Sequence, residues 1–138
     1  MTMPSALYLD TSAVLRAVLE SGTTPEIERR IGEAGTLITS RLALVEAARA
    51  FHSIRARGGV SEEHLADAGR ELDSLWARCD IWELTPRVCE MAGQVAPGRP
   101  LRTLDALHLA TYLLARRRIA GLSLLTADRR LLEAAQGV

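Results

Sequence analysis

An α/β fold, with a central parallel sheet of four strands and helices on both faces, is predicted by three features of this sequence. Short runs suited to strands, Leu7-Tyr8-Leu9, Thr36-Leu37-Ile38-Thr39, Ile81-Trp82-Glu83-Leu84 and Leu122-Ser123-Leu124-Leu125-Thr126, alternate with longer stretches of helical period. The stretches between them open on Ser, Thr or Asp caps and close on Gly or Pro. The chain has 138 residues, 48% of them hydrophobic and 25% charged, which is enough for one sizeable core and too little for two. Residues 1–138 therefore read as a single domain.

The first strand, Leu7 to Leu9, runs straight into Asp10. Thr11 and Ser12 then begin an apolar helical pattern through Ala13, Val14, Ala17 and Val18. Gly22-Thr23-Thr24-Pro25 is a stop followed by a start, with Thr24 as N-cap, Pro25 at the first helical position, and Ile27 and Ile31 on one face. Gly35 ends that helix, and the second strand runs into Ser40. Leu42 to Arg57 reads as a long helix stopped by Gly58-Gly59. Ser61 opens the next one, with Glu62 and Glu63 in its first turn. There Leu65, Ala68, Leu72, Leu75, Trp76 and Cys79 repeat at three- and four-residue steps, which predicts an antiparallel helical hairpin with Trp76 in the core.

Ile81 to Leu84 is the third strand, and Thr85-Pro86 starts a helix reaching about Val95. Ala96-Pro97-Gly98-Arg99-Pro100 forces a loop. Thr103 is expected to cap a helix from Leu104 to Arg116 that is apolar nearly all round, and so well buried. Ala120-Gly121 breaks it, the last strand follows, and Asp128 caps a terminal helix through Leu131, Leu132 and Ala135.

The longest apolar-rich run, Ala106 to Ala115, is interrupted by His108, Thr111 and Tyr112 and is too short to span a bilayer. Met1 to Ala6 has neither the basic start nor the apolar core of a signal peptide, so a cytoplasmic location is expected. Cys79 and Cys89 lack zinc-ligand or Cys-x-x-Cys spacing and read as ordinary buried thiols. Formal net charge is zero, which does not advertise a nucleic-acid binder. All 17 basic residues are Arg, so any mechanism that requires a lysine is excluded.

Four acids carry the functional reading. Asp10 follows the first strand, Glu46 lies early in the helix after the second, Asp105 sits in the first turn of the buried helix, and Asp128 comes just after the last strand. In an open α/β sheet, ligands bind outside the carboxyl ends of the strands, where three of these four fall. Each also has a bland role open to it: Asp10 and Asp128 as N-caps, Asp105 on the helix dipole, and Glu46 facing water beside Arg49. Crowded carboxylates repel unless a cation sits between them, and hard oxygen ligands suit Mg²⁺ or Mn²⁺. Thr11, Ser12 and Thr126 add hydroxyls at the same edge, so the constellation reads as a divalent-metal site.

Leu-Tyr-Leu-Asp10-Thr-Ser-Ala, the helical Glu46, Leu101-Arg-Thr-Leu-Asp105-Ala-Leu-His-Leu-Ala-Thr and Leu-Thr126-Ala-Asp128-Arg-Arg-Leu together resemble the PIN-domain ribonucleases, and most of all their VapC toxin branch. The resemblance runs from Leu7 to about Ala135, and the block around Asp105 is its most specific part. It implies a PIN-like three-layer α/β/α sandwich. Asp10, Glu46, Asp105 and Asp128 would form the catalytic and metal-binding quartet, supported by Ser12 and Thr126. It further implies metal-dependent endonucleolytic cleavage of RNA, inhibition by a cognate VapB-type antitoxin, and a homodimer. PIN domains usually add an edge strand after the last helix, whereas this chain stops at Gly137-Val138, which leaves a fifth strand open.

A metal held by these acids can polarise a scissile phosphate and lower the pKa of a bound water, so no Ser or Cys nucleophile is required. His108, one turn after Asp105, reads as a packed core residue rather than a base. Arg41, Arg49, Arg99, Arg102, Arg129 and Arg130 are placed to hold phosphates, and Arg116-Arg117-Arg118 reads as helix capping. Haloacid-dehalogenase-like phosphatases and response-regulator receivers share the Asp at a strand end, but both use a lysine that this chain lacks. The remaining alternative is a non-catalytic PIN-like interaction module.

Overall fold

The computed structural model describes residues 5–138. Four parallel strands, β1 (Ala6–Leu9), β2 (Thr36–Ser40), β3 (Cys79–Trp82) and β4 (Leu122–Leu125), form one sheet in the order β3-β2-β1-β4. The register pairs Tyr8 with Ile38 on one side of β1 and with Leu124 on the other. No strand follows the last helix among the described residues, so the sheet has four strands and not five. The first four residues, on which the reading of a leader-free start partly rests, lie outside the described residues.

Strand side chains alternate between faces, and the two faces meet different helices. Leu7, Leu9, Leu37 and Leu125 pack with Ala13, Val14 and Val18 of α1 (Thr11–Val18), Ile27 and Ile31 of α2 (Pro25–Glu33), Ala47 of α3 (Arg41–Arg57), and Leu72 and Leu75 of α4 (Glu62–Arg78). Tyr8, Ile38, Leu122 and Leu124 face α6 (Thr103–Arg116) and α7 (Arg129–Gln136) through Leu109, Tyr112, Ala115, Leu131, Ala134 and Ala135. The short α5 (Pro86–Ala92) packs on α6 through Val88, Ala110 and Leu114. This is the expected three-layer α/β/α sandwich. β1 is central and buried on both sides, which is why Leu7-Tyr8-Leu9 reads as a continuous apolar run.

Several local expectations shift. β3 begins at Cys79, two residues before the expected start, because α4 ends at Arg78 and the chain extends at once. Cys79 is therefore a strand residue and only half-buried, Cys89 is exposed on α5 rather than the buried thiol expected, and Trp76 is only partly buried against the core. Thr103 is the first residue of α6, not its cap. Arg102 occupies the cap position and its side chain makes no capping bond, leaving Asp105 as the acidic complement to that helix terminus. α5 stops at Ala92, short of Val95, with Gly93 at its C-cap. Thr24 takes the cap position of α2 without a side-chain capping bond. α3 and α4 both line one surface groove and are joined near their turn by an Arg55–Glu62 ion pair, consistent with the expected hairpin. No helix among the described residues is long and apolar enough to cross a membrane.

Candidate functional site

From β1 the chain runs outward through β2 to β3, then returns to the other side of β1 to place β4. The sheet thus has its switch point between β1 and β4, and the crevice outside their carboxyl ends is where such folds receive ligands. Asp10 directly follows β1, and Thr126 directly follows β4.

Asp10 leaves the strand with extended backbone (φ −82°, ψ 173°) and becomes the N-cap of α1. Its residue is only 4% exposed. Oδ1 accepts from the Ala13 amide (3.0 Å), Oδ2 accepts from the Thr126 hydroxyl (2.6 Å), and the Ser12 hydroxyl lies 2.8 and 2.9 Å from the two oxygens. The same two hydroxyls accept from the loop after β4: Ser12 Oγ from the Ala127 amide (2.9 Å) and Thr126 Oγ1 from the Asp128 amide (3.0 Å). Asp10, Ser12 and Thr126 therefore lock two strand ends together. Burial pushes the Asp10 pKa up from the ordinary carboxylate value, although the bonds from Thr126, Ala13 and Ser12 and the nearby His108 pull the other way. Each Asp10 oxygen thus faces two protein donors, the Ser12 hydrogen being shared between them.

Glu46 projects from the second turn of α3 with its side chain 23% exposed. Its Oε1 accepts from Thr11 Oγ1 (2.5 Å) and His108 Nε2 (2.7 Å), while Oε2 receives no hydrogen bond among the described residues. Burial works against the Glu46 charge. The bonds from His108 and Thr11, with the charges of His108 and Arg102, outweigh it and hold the carboxyl below its usual range.

His108 is 2% exposed, so the expectation of a packed residue holds, yet it is also hydrogen-bonded on both ring nitrogens. Nδ1 lies 2.8 Å from the Tyr8 hydroxyl, and Nε2 lies 3.2 Å from Thr11 Oγ1 as well as against Glu46. Asp105 sits one turn before it on the same face of α6, with its side chain 19% exposed and Oδ2 3.3 Å from Arg102 Nε. Asp128 caps α7, its Oδ1 accepting from the amides of Arg130 (2.9 Å) and Leu131 (3.4 Å).

The structure joins Asp10, Ser12 and Thr126 directly, reaches Asp128 through the Thr126 hydroxyl, and ties Glu46 to the centre through Thr11 and His108. Each carboxylate is held by hydroxyl, amide, imidazole or guanidinium partners rather than by another acid. Among the described residues, no three His, Cys, Asp or Glu side chains stand close enough to form a ready-made ligand cluster. Tyr8 is the participant that sequence reasoning passed over, and His108, read as packing, turns out to be bonded to Glu46 as well. The signal was present: a phenol in a fully buried strand and an imidazole in an apolar helix each need a partner.

A PIN domain family model matches residues 7–137. The chain belongs to the PIN-domain family. Ribonuclease VapC49 of Mycobacterium tuberculosis is 32% identical over 108 residues, covering 78% of this chain and 74% of that one. Among solved structures, PAE2754 from Pyrobaculum aerophilum superposes with a TM-score of 0.67 at 25% identity, covering 96% of this chain and 81% of that one. A toxin–antitoxin complex from Klebsiella pneumoniae superposes with a TM-score of 0.61 at 21% identity, over 90% and 87% of the two chains. Within the PIN-domain family this chain thus stands with the VapC ribonucleases, as the blocks around Asp10 and Asp105 imply.

Proposed function

We propose that this PIN domain is an Mg²⁺- or Mn²⁺-dependent endoribonuclease, the toxin of a toxin–antitoxin pair. The observation that carries the reading is Asp10, a buried carboxylate at the sheet's switch point, fixed by the Ser12 and Thr126 hydroxyls where β1 and β4 end. The side chains bonded to it, Ser12 and Thr126, carry hard oxygen atoms, which suits Mg²⁺ or Mn²⁺. Asp10, Glu46, Asp105 and Asp128 would hold the ion, directly or through water. When bound, it supplies Lewis acidity to the scissile phosphate and lowers the pKa of a water for attack on phosphorus.

The chain's own residues supply the geometry. Ser12 and Thr126 fix the Asp10 carboxylate, and Thr11 and His108 hold Glu46 by Oε1, with no protein donor to Oε2 among the described residues. Six arginines were expected to hold phosphates. Of these, Arg41 pairs with Glu83, Arg99 with Glu133 and Arg102 with Asp105. Arg49, Arg129 and Arg130 are exposed and join no ion pair among the described residues, so they are the three free to meet an RNA backbone. A cytoplasmic protein that cuts RNA needs a restraint. The VapC names of the relatives and the toxin–antitoxin neighbour support a VapB-type antitoxin, and a homodimer is the family's usual assembly.

The test is incubation of purified, antitoxin-free protein with total RNA, with and without Mg²⁺ or Mn²⁺. Metal-dependent fragments are expected from the wild type and none from Asp10→Asn. Equal cleavage by a folded Asp10→Asn protein, or cleavage undiminished in EDTA, would overturn the reading. Binding of a partner without cleavage under any metal would favour the interaction module instead.

A further inference from the structure

We propose that His108 is a positioning residue for Glu46: with Tyr8 behind it, the imidazole fixes the orientation of the Glu46 carboxylate and so sets the affinity of the centre for its metal. The inference rests on Glu46 serving that metal, as proposed above.

The geometry carries it. His108 is buried, and its two nitrogens face two different partners, Tyr8 on Nδ1 and Glu46 on Nε2. The hydrogen in the 2.7 Å contact with Glu46 sits on Nε2, because an ionised carboxylate only accepts. Nδ1 faces the Tyr8 hydroxyl, 2.8 Å away, which braces the ring from behind whichever of the two carries the hydrogen. Burial keeps that phenol protonated and uncharged, so the hydroxyl remains able to pair with the ring. Tyr8 is fixed in turn as a fully buried residue of the central strand, with its ring edge-on to the imidazole at a centroid distance of 6.0 Å. Strand β1, helix α6 and helix α3 thus meet in one relay, Tyr8 to His108 to Glu46. Thr11 donates to the same Oε1, so both donors grip one oxygen and leave Oε2 without a protein donor among the described residues. Such outer partners of a ligating carboxylate typically change metal affinity or activity by about 10–100-fold when removed.

Two near-isosteres separate positioning from packing. Gln at 108 places an N–H donor near the Nε2 position and gives up the Tyr8 contact. Asn places its amide near the Nδ1 position, keeps a partner for Tyr8 and loses Glu46. Mn²⁺ dissociation constants would be measured by electron paramagnetic resonance on the free protein, without RNA, beside thermal melting in EDTA and steady-state cleavage. His108→Asn should weaken Mn²⁺ by about 10–100-fold. His108→Gln should recover most of that loss, although both variants give up one buried contact and melt lower. Tyr8→Phe, which removes the hydroxyl facing Nδ1, should fall between them. Equal Mn²⁺ affinities for His108→Asn and His108→Gln, or loss that tracks melting temperature alone, would overturn the proposal. Glu46→Gln serves as the reference: if it weakens Mn²⁺ and His108→Asn does not, the positioning role fails while Glu46 stands. If Glu46→Gln leaves Mn²⁺ binding intact, the Glu46 assignment fails and this inference falls with it.

Discussion

Asp10 performs two jobs whose demands differ, and a single substitution separates them. As the cap of α1 it needs an oxygen to accept from the Ala13 amide, which Asn provides equally well. In the proposed role of metal ligand it needs charge, which Asn lacks. Burial raises its folded pKa above the unfolded value, so between the two the folded state binds more protons than the unfolded chain. Stability from this group is therefore present at low pH and lost as pH rises through that window. In EDTA, Asp10→Asn should melt above the wild type near neutral pH, and the gap should shrink as pH falls below the ordinary carboxylate range. Glu46 has the opposite sign: its folded pKa is lowered, so its contribution is present above the unfolded value and lost as pH falls through the folded one. Glu46→Gln should accordingly lose stability at neutral pH. Melting curves across pH that show a constant gap for Asp10→Asn would contradict the burial argument.

Helix α7 poses the same question at the scale of an element. It is eight residues long, and Asp128 satisfies two of its first amides. Removing such a cap costs about 1 kcal/mol, and Asn replaces it nearly without loss. Asp128→Ala should thus lower the melting temperature by roughly 3–5 °C in a chain of this size, with Asp128→Asn close to the wild type in EDTA. The charge is tested separately, because only a metal role makes Asp128→Asn lose its Mn²⁺-induced stabilisation. If Asp128→Asn responds to Mn²⁺ as the wild type does, Asp128 is a cap alone. α6 shows the complementary arrangement: Arg102 at the cap position makes no capping bond, and Asp105 meets the helix terminus with charge instead.

Across the whole molecule, the centre joins β1, β4, α1, α3 and α6, so an ion bound there stabilises the fold as a unit. Ligand linkage gives about 2.7 kcal/mol when free metal is a hundred times its dissociation constant. Mg²⁺ or Mn²⁺ at matched ionic strength should raise the wild-type melting temperature, and should raise that of Asp105→Asn much less. Matched salt matters because screening alone relieves repulsion among the acids. Equal shifts in the two proteins would assign Asp105 to the helix dipole and its Arg102 pair only.

The alternation of strand and helix and the caps at Asp10, Ser61, Thr85 and Asp128 were all legible in the sequence, because each follows from local pattern and side-chain type. Boundaries such as the Cys79 start of β3 were not, since pairing with Leu37 across the sheet sets where the strand begins. His108 shows the limit most plainly. An apolar helix around a lone imidazole says that the ring is buried, and it was. That Tyr8, 100 residues away, pairs with one nitrogen while Glu46, 62 residues away, takes the hydrogen of the other depends on three elements meeting at one edge of the sheet. Local sequence sets which side chains must find partners in a dry interior, and only the tertiary packing decides which partners they find.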